Sequence, residues 1–174
     1  MHLETERLIV RDFAMDDLPA LWDIFRDKET MEHMAPLTEQ GTEELLRAFC
    51  VERTPPGAFA AQLREGGGLA GWLLFSQVDA PGVYELGWVL RRDCWGKGLA
   101  GEASRALLDY AFSALDAHKV IAQTEDTRRA VPLLERLGMV REGVQRRHAL
   151  GRDGVWRDIY WYGLLREEYA NGNH

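Results

Sequence analysis

Near the middle of the chain a strand-like run, Glu85-Leu86-Gly87-Trp88-Val89-Leu90, passes through Arg91-Arg92-Asp93-Cys94-Trp95 to glycines at 96, 98 and 101 and then directly into a helical stripe. Few folds accept that order. A glycine-rich turn that opens a helix aims the turn amides and the free N–H groups of the first helical turn at one spot, and such a spot attracts anions. Gly96 and Gly98 let the backbone approach a ligand without a Cβ in the way, and Ala100 and Gly101 do the same in the first turn of the helix. Lys97 adds charge. The plainer meaning of such glycines is a loop that merely permits a sharp turn.

Two phosphate motifs can be tested against the run. A P-loop needs GxxxxGK[ST], whereas Lys97 lies between glycines with no Ser or Thr after it, which disfavours nucleotide hydrolysis. Gly96-x-Gly98-x-x-Gly101 formally satisfies the dinucleotide pattern, but that pattern belongs early in a βαβ unit with an acid about 20 residues on. Here Glu125 and Asp126 follow a second strand, and the run sits after what reads as an antiparallel meander. A phosphate site fits this placement; an NAD site does not.

The meander is visible in three β-rich runs, Ala58–Arg64, Leu69–Val78 and Val83–Leu90, separated by Gly66-Gly67-Gly68 and by Asp79-Ala80-Pro81-Gly82. Before it, Leu8-Ile9-Val10-Arg11 is a strand candidate. Asp16-Asp17 can cap a helix carrying Leu18, Leu21, Trp22 and Phe25, and a second helix is expected from Thr42 to Arg53 with Thr42 or a neighbour as cap. After the glycines, Glu102 to Leu115 is helical, Lys119–Thr124 a strand, and Arg129–Leu137 a helix ended by Gly138. A strand–helix–strand of this length makes a right-handed crossover to a parallel neighbour. Val144–Leu150 and Val155–Leu164 flank Gly151-Arg152-Asp153-Gly154 as a closing hairpin. The pattern predicts an α+β fold: a mixed, mostly antiparallel, twisted sheet of seven strands flanked by about four helices. Residues 1–170 form one domain in this reading, and 171–174 a short tail.

Composition narrows the function classes. The chain has 174 residues, 46% hydrophobic and 28% charged, as an ordinary globule has. No window supplies the 18 or so consecutive apolar residues of a membrane span, and the acids of the first residues do not suit a secretory signal, so a cytoplasmic location is expected. Cys50 and Cys94 form no CxxC pair, and the five histidines show no HExxH or HxxxH spacing, which argues against a metal site. The charge of −7, from 21 basic and 28 acidic residues, argues against nucleic acid and suits a cationic small molecule or basic peptide. A solvated acidic surface is the commoner origin of such a charge.

Trp95-Gly96-Lys97-Gly98-Leu99-Ala100 resembles the acetyl-CoA-binding signature Q/R-x-x-G-x-G/A of the GNAT acetyltransferase superfamily, in the WGKG form of its branch resembling ribosomal-protein N-terminal acetyltransferases. Other landmarks of that branch fall in order: Thr5-Glu6-Arg7-Leu8, Glu85-Leu86-Gly87, Leu133-Leu134-Glu135-Arg136-Leu137-Gly138-Met139, Arg141-Glu142-Gly143, and Gly154-Val155-Trp156-Arg157-Asp158 with Tyr169. The resemblance spans nearly the whole chain. It implies that the strand before the loop splays from its parallel neighbour, that Trp88, Val89 and Leu90 line the pantetheine arm of acetyl-CoA, and that the pyrophosphate sits on the amides from Gly96 to Gly101. It implies direct attack by the amine on the thioester, with no enzyme nucleophile.

Glu85 is then the candidate for proton removal, directly or through water. On a strand it shares a face with Gly87 and Val89, and burial there would raise its pKa. The alternative for Glu85 is a structural acid paired with an arginine of the last hairpin. The amide of Val89, or another group on the cofactor strand, could polarise the thioester. Family members often carry Asn at the position of Thr127, Ser at that of Ala130 or Tyr at that of Leu134. Thr127 can still hydrogen-bond the pantetheine, whereas Ala130 and Leu134 cannot protonate a thiolate, leaving water, Tyr160, Tyr162 or no acid at all. Arg128 and Arg129 could reach the 3′-phosphate.

The resemblance implies a primary-amine acceptor: a protein N-terminal α-amine, a polyamine or an aminoglycoside-like molecule. Trp22, Phe25, His33, Met34, Trp72, Trp156 and Tyr160 could line its pocket, although aromatics at such spacings are more often core. The missing acids motivate a second reading, a CoA-binding sensor without turnover. A homodimer suits an enzyme of this class.

Overall fold

The computed structural model describes residues 1–32, 37–52, 57–151 and 153–172. In chain order they form β1 (His2–Glu4), β2 (Leu8–Arg11), α1 (Leu18–Arg26), α2 (Glu39–Arg47), β3 (Ala58–Leu63), β4 (Leu69–Gln77), β5 (Val83–Leu90), α3 (Leu99–Ser113), β6 (Lys119–Thr124), α4 (Ala130–Arg136), β7 (Val140–Leu150), β8 (Trp156–Leu165) and α5 (Arg166–Asn171). The strands make one sheet in the order β1-β2-β3-β4-β5-β6-β8-β7, in which β5 and β6 are parallel and every other neighbouring pair is antiparallel. The expected α+β fold with a mixed, mostly antiparallel sheet is therefore the observed one, with α3 as the crossover between the two parallel strands.

Alternation along β5 sorts its side chains between two cores. Tyr84, Leu86, Trp88 and Leu90 join the larger cluster under α3, together with Leu99, Ala103, Leu107 and Leu108 of that helix. Val89 joins a smaller cluster on the opposite face, with Leu21, Ile24 and Phe25 of α1 and Leu46 of α2. On β4 the extra residue Ala70 shifts the register, so that Ala61 and Gln62 face Gly71 and Leu69. Gly71 is obligatory there, because a Cβ would stand 2.1 Å from the Val89 carbonyl oxygen.

Several boundaries differ from the sequence expectation for identifiable reasons. The sheet has eight strands rather than seven, because His2–Glu4 pairs with β2 through three residues of which only Leu3 is apolar. The second helix starts at Glu39, not Thr42: the Thr38 hydroxyl accepts from the Gly41 amide at 3.0 Å, while buried Thr42 donates to the Thr38 carbonyl. It then passes into a π-helical turn over Ala48–Glu52, and Arg53 lies outside the described residues. Asp17 does not cap α1; its carboxylate accepts from the Arg11 guanidinium and the Ala14 amide. Gly138, at φ +80°, ends α4 as expected, the Met139 amide donating to the Leu134 carbonyl. The last hairpin starts earlier, at Val140, and the chain adds α5, capped by Glu168 on the Leu165 amide. α5 takes in Asn171, the first residue of the expected tail. Arg152 of the hairpin turn lies outside the described residues. Among the described residues no helix is long and apolar enough to cross a membrane.

Candidate active site

β5 and β6 pair only through Val83, Tyr84 and Glu85 against Lys119, Val120 and Ile121. Beyond that point they part: β5 stays on β4 as far as Leu90, and β6 stays on β8 as far as Thr124. Their inner edges carry backbone groups that no strand satisfies, which suits an extended polar ligand. The split opens into a cleft of about 980 Å³, walled by Leu86, Gly87, Trp88, Val89 and Leu90 on one side and by Ala122, Gln123, Thr124, Glu125 and Asp126 on the other.

The cleft is bounded at both ends. At its inner end the Gln123 Nε2 donates to Glu85 Oε1 at 2.9 Å, from strand to strand. At its outer end lies the glycine loop. Gly96 and Gly98 have φ of +69° and +78°, a region that other residues avoid, and Gly98 is the N-cap of α3 with no side-chain cap. The first amides of a long helix therefore face the cleft mouth, where an anion is favoured.

The loop is held from behind by the first strands. Glu102, in the first turn of α3, accepts from the Thr5 hydroxyl at 2.5 Å, from the Arg7 amide at 2.7 Å and from the Arg7 Nε at 2.7 Å. Arg7 also donates to the Lys97 carbonyl at 2.8 Å. Burial pushes the Glu102 carboxyl up, but these hydrogen bonds outweigh it and keep the group below the usual carboxylate value. The Thr5-Glu6-Arg7-Leu8 landmark thus has a physical task, which is to anchor the loop. No local residue pattern marks this role, because Thr5 and Arg7 meet Glu102 only across 97 and 95 residues of chain.

On the other lip, Asp126 organises the β6–α4 turn. Its carboxylate accepts from the amides of Arg128 and Arg129 and from the Arg129 Nε, which together overcome burial and lower its pKa. The Arg129 guanidinium lies 4.3 Å from the centroid of the Trp95 ring, and the Trp95 indole donates to the Leu90 carbonyl at 2.7 Å.

Of the candidate residues, Glu85, Trp88, Val89, Leu90, Trp95, Gly96, Gly98, Leu99, Ala100 and Gly101 border this one cleft. Lys97 and Thr127 are exposed and stand outside its lining; Lys97 contributes its carbonyl as an anchor point. Glu85 is half-buried, and its partner is Gln123 rather than an arginine of the last hairpin. Leu134 is in the core, and Ala130 borders the cleft. Neither Tyr160 nor Tyr162 borders it; burial and Glu135 push the Tyr162 phenol up, and its hydroxyl donates to Glu135 at 3.3 Å. The side-chain hydroxyls at the described cleft wall are those of Thr30 and Thr124. Trp72 borders the cleft and packs against Phe25 and Phe49, whereas Trp156 is exposed on the last hairpin. His33 and Met34 lie outside the described residues. Among the described residues no group of acids, histidines and cysteines could hold a metal ion.

A sheet split beside a glycine loop, with the loop opening the crossover helix, defines an acyltransferase of the GNAT class. The chain belongs to that family: the family described as "Acetyltransferase (GNAT) domain" matches residues 7–140. It is 30% identical to "Uncharacterized N-acetyltransferase YnaD" of Bacillus subtilis (strain 168), over 97% of this chain and 99% of that one. Its fold superposes on the crystal structure of a GNAT-family acetyltransferase from Bacillus anthracis with a TM-score of 0.85 at 28% identity, covering 96% of this chain and 99% of that one. A spermidine N-acetyltransferase from Vibrio cholerae, in complex with CoA and spermine, shares the fold with a TM-score of 0.81 at 22% identity, covering 94% of this chain and 98% of that one.

Proposed function

We propose that residues 1–170 act as one domain that transfers the acetyl group of acetyl-CoA directly to a primary amine within a ternary complex. The observation that carries this reading is the bounded β5–β6 split: an acid stands at its inner end and an uncapped helix N-terminus at its outer end. The pyrophosphate would be met by the amides from Gly96 to Gly101, and the pantetheine arm by the free strand edge from Trp88 to Leu90. That arrangement sets the thioester near the Glu85 end of the cleft.

The acceptor ammonium first loses a proton to Glu85 or to a water on it; the neutral nitrogen then attacks the thioester carbonyl carbon, the C–S bond breaks, and the nitrogen gives up its second proton to water. One carboxylate oxygen is held by Gln123, which leaves the other to take the proton. The thiolate takes a proton from water, since neither Ala130 nor Leu134 can supply one. Positioning two reactants in one cleft accounts for much of the acceleration. Acids on the cleft wall, Glu85 and Glu125, suit an acceptor that arrives as a cation, whether a protein N-terminal α-amine, a polyamine or an aminoglycoside-like amine.

The test is thiol release from acetyl-CoA across a panel of amines and N-terminal peptides. Release is expected with one acceptor class. Glu85→Gln should lower kcat by about 10²-fold with little change in the KM for acetyl-CoA. Gly98→Trp, which forces a bulky residue to φ +78° at the loop, should abolish CoA binding. CoA binding without thiol release for any amine would overturn transfer and leave a sensor.

A further inference from the structure

One side chain touches three parts of the site at once. Arg129 stacks on Trp95 of the glycine loop, donates through Nε to Asp126 at 2.6 Å, and donates through a terminal nitrogen to Glu32 at 2.5 Å. Glu32 belongs to the turn that follows α1. That turn is well defined: the Asp27 carboxylate accepts from the Thr30 amide at 2.7 Å, Met31 is fully buried in the smaller core, and Thr30 borders the cleft. A second arginine reaches the same turn from the other lip, Arg92 at the end of β5 pairing with Glu29. The turn 27–32 is thus clasped from both sides of the strand split, by Arg92 from the turn that follows β5 and by Arg129 from the opposite lip. Of the two, Arg129 reaches the glycine loop with its side chain, whereas Arg92 meets it through the backbone, its carbonyl accepting from the Trp95 amide at 3.1 Å.

We propose that Arg129 is a positioning residue that couples the cofactor cleft to the acceptor side: by holding Trp95 and Glu32 together it makes the order of the turn 27–32 depend on occupancy of the glycine loop. This rests on the acetyltransferase reading of the cleft. A planar guanidinium suits the task because it can stack on an indole while its edges serve two carboxylates; a lysine ammonium cannot reproduce both. The coupling acts on the acceptor, because the turn carries Thr30 into the cleft wall.

Amide hydrogen exchange followed by mass spectrometry, with and without CoA, reads the coupling without needing the acceptor. In the native protein CoA should slow exchange both in the glycine loop and in the turn 27–32. In Arg129→Ala and in Glu32→Gln the turn should exchange up to about fivefold faster, and CoA should protect the loop alone. Arg129→Lys should restore the coupling only in part. With the acceptor class in hand, Arg129→Ala should raise the acceptor KM by up to about fivefold and, by reciprocity, the Kd for CoA by no more than the same factor, and adding Glu32→Gln should not deepen either effect. If Arg129→Ala weakens CoA binding in a salt-dependent way and Glu32→Gln does not, Arg129 is a phosphate contact and the coupling is overturned. Native-like exchange of the turn in both variants overturns it as well. A native protein that does not bind CoA overturns the acetyltransferase reading together with the coupling, whereas normal CoA binding with unchanged variants overturns the coupling alone.

Discussion

The two faces of the sheet are built differently. On the α3 face a continuous core runs from β2 across the sheet to β6 and β8, and the ligand loop is fastened to it by Glu102, whose side chain is only 15% exposed and accepts three hydrogen bonds. On the α1–α2 face the core is smaller, and its turn meets the cleft through ion pairs exposed to solvent, Arg92 with Glu29 and Arg129 with Glu32. Exposed pairs of this kind contribute about 0–1 kcal/mol each. The face that would hold an invariant cofactor is anchored in the core, and the face that would meet the acceptor is joined by contacts that solvent can replace.

The sharpest test of that contrast compares two fully buried leucines. Leu107→Ala in α3 should cost about 4 kcal/mol, and Leu46→Ala in α2 nearer to about 2 kcal/mol, because a cavity beside the smaller cluster can collapse further. Chemical denaturation measures both, and equal losses would break the comparison. A smaller effect is expected from Glu102→Gln, which removes the charge that Thr5 and Arg7 serve: about 1–2 kcal/mol of stability, with weaker CoA binding and an unchanged acceptor preference. A shift in acceptor preference would show that the two faces are not separate in this way.

The smallest effect lies in acid. Glu102 and Asp126 are both pushed up by burial and pulled further down by their hydrogen bonds, so their folded pKa values lie below the unfolded ones. What they contribute is therefore complete above about pH 4.5 and is lost as pH falls through the folded values. Folding stability, followed by chemical denaturation from pH 6 downward, should hold to about pH 4.5 and then decline. In Glu102→Gln that decline should be shallower.

The same contrast governs what could be read from the sequence. The glycine-loop side is written in local signals: three glycines at a strand–helix junction, alternation along Tyr84–Leu90, and Gly138 after a helical stripe each act within a few residues. The anchor of the loop was not legible, because Arg7 and Glu102 are 95 residues apart and meet only in the folded chain. The position of Glu85 on β5 follows from strand alternation, while its partner Gln123 follows from where β5 and β6 stop pairing, a point that no residue pattern marks. β1 carries no signal of its own, because a three-residue strand with one apolar side chain has no periodicity. The acceptor side was least legible, since its contacts are between charged residues that read, one at a time, as solvated surface.

The rim formed by β7 has a consequence of its own. At 11 residues it is the longest strand, it pairs on one side only, and it exposes Val140, Val144 and Leu150. A straight strand of that kind would be a template for polymerisation. Two register shifts break it, between Arg141 and Gly143 and between Gln145 and Ala149, the second with Arg147 at φ +49° and its amide turned to the Asp158 carboxylate. Each bulge twists the edge and interrupts the row of free amides, and Arg141, Glu142, Arg146 and Arg147 add charge along it. The opposite rim, β1, offers only three residues. Neither border of the sheet presents the flat, uncharged run that a stray strand from another chain needs, so the irregularities of the last hairpin keep the folded protein from seeding fibres.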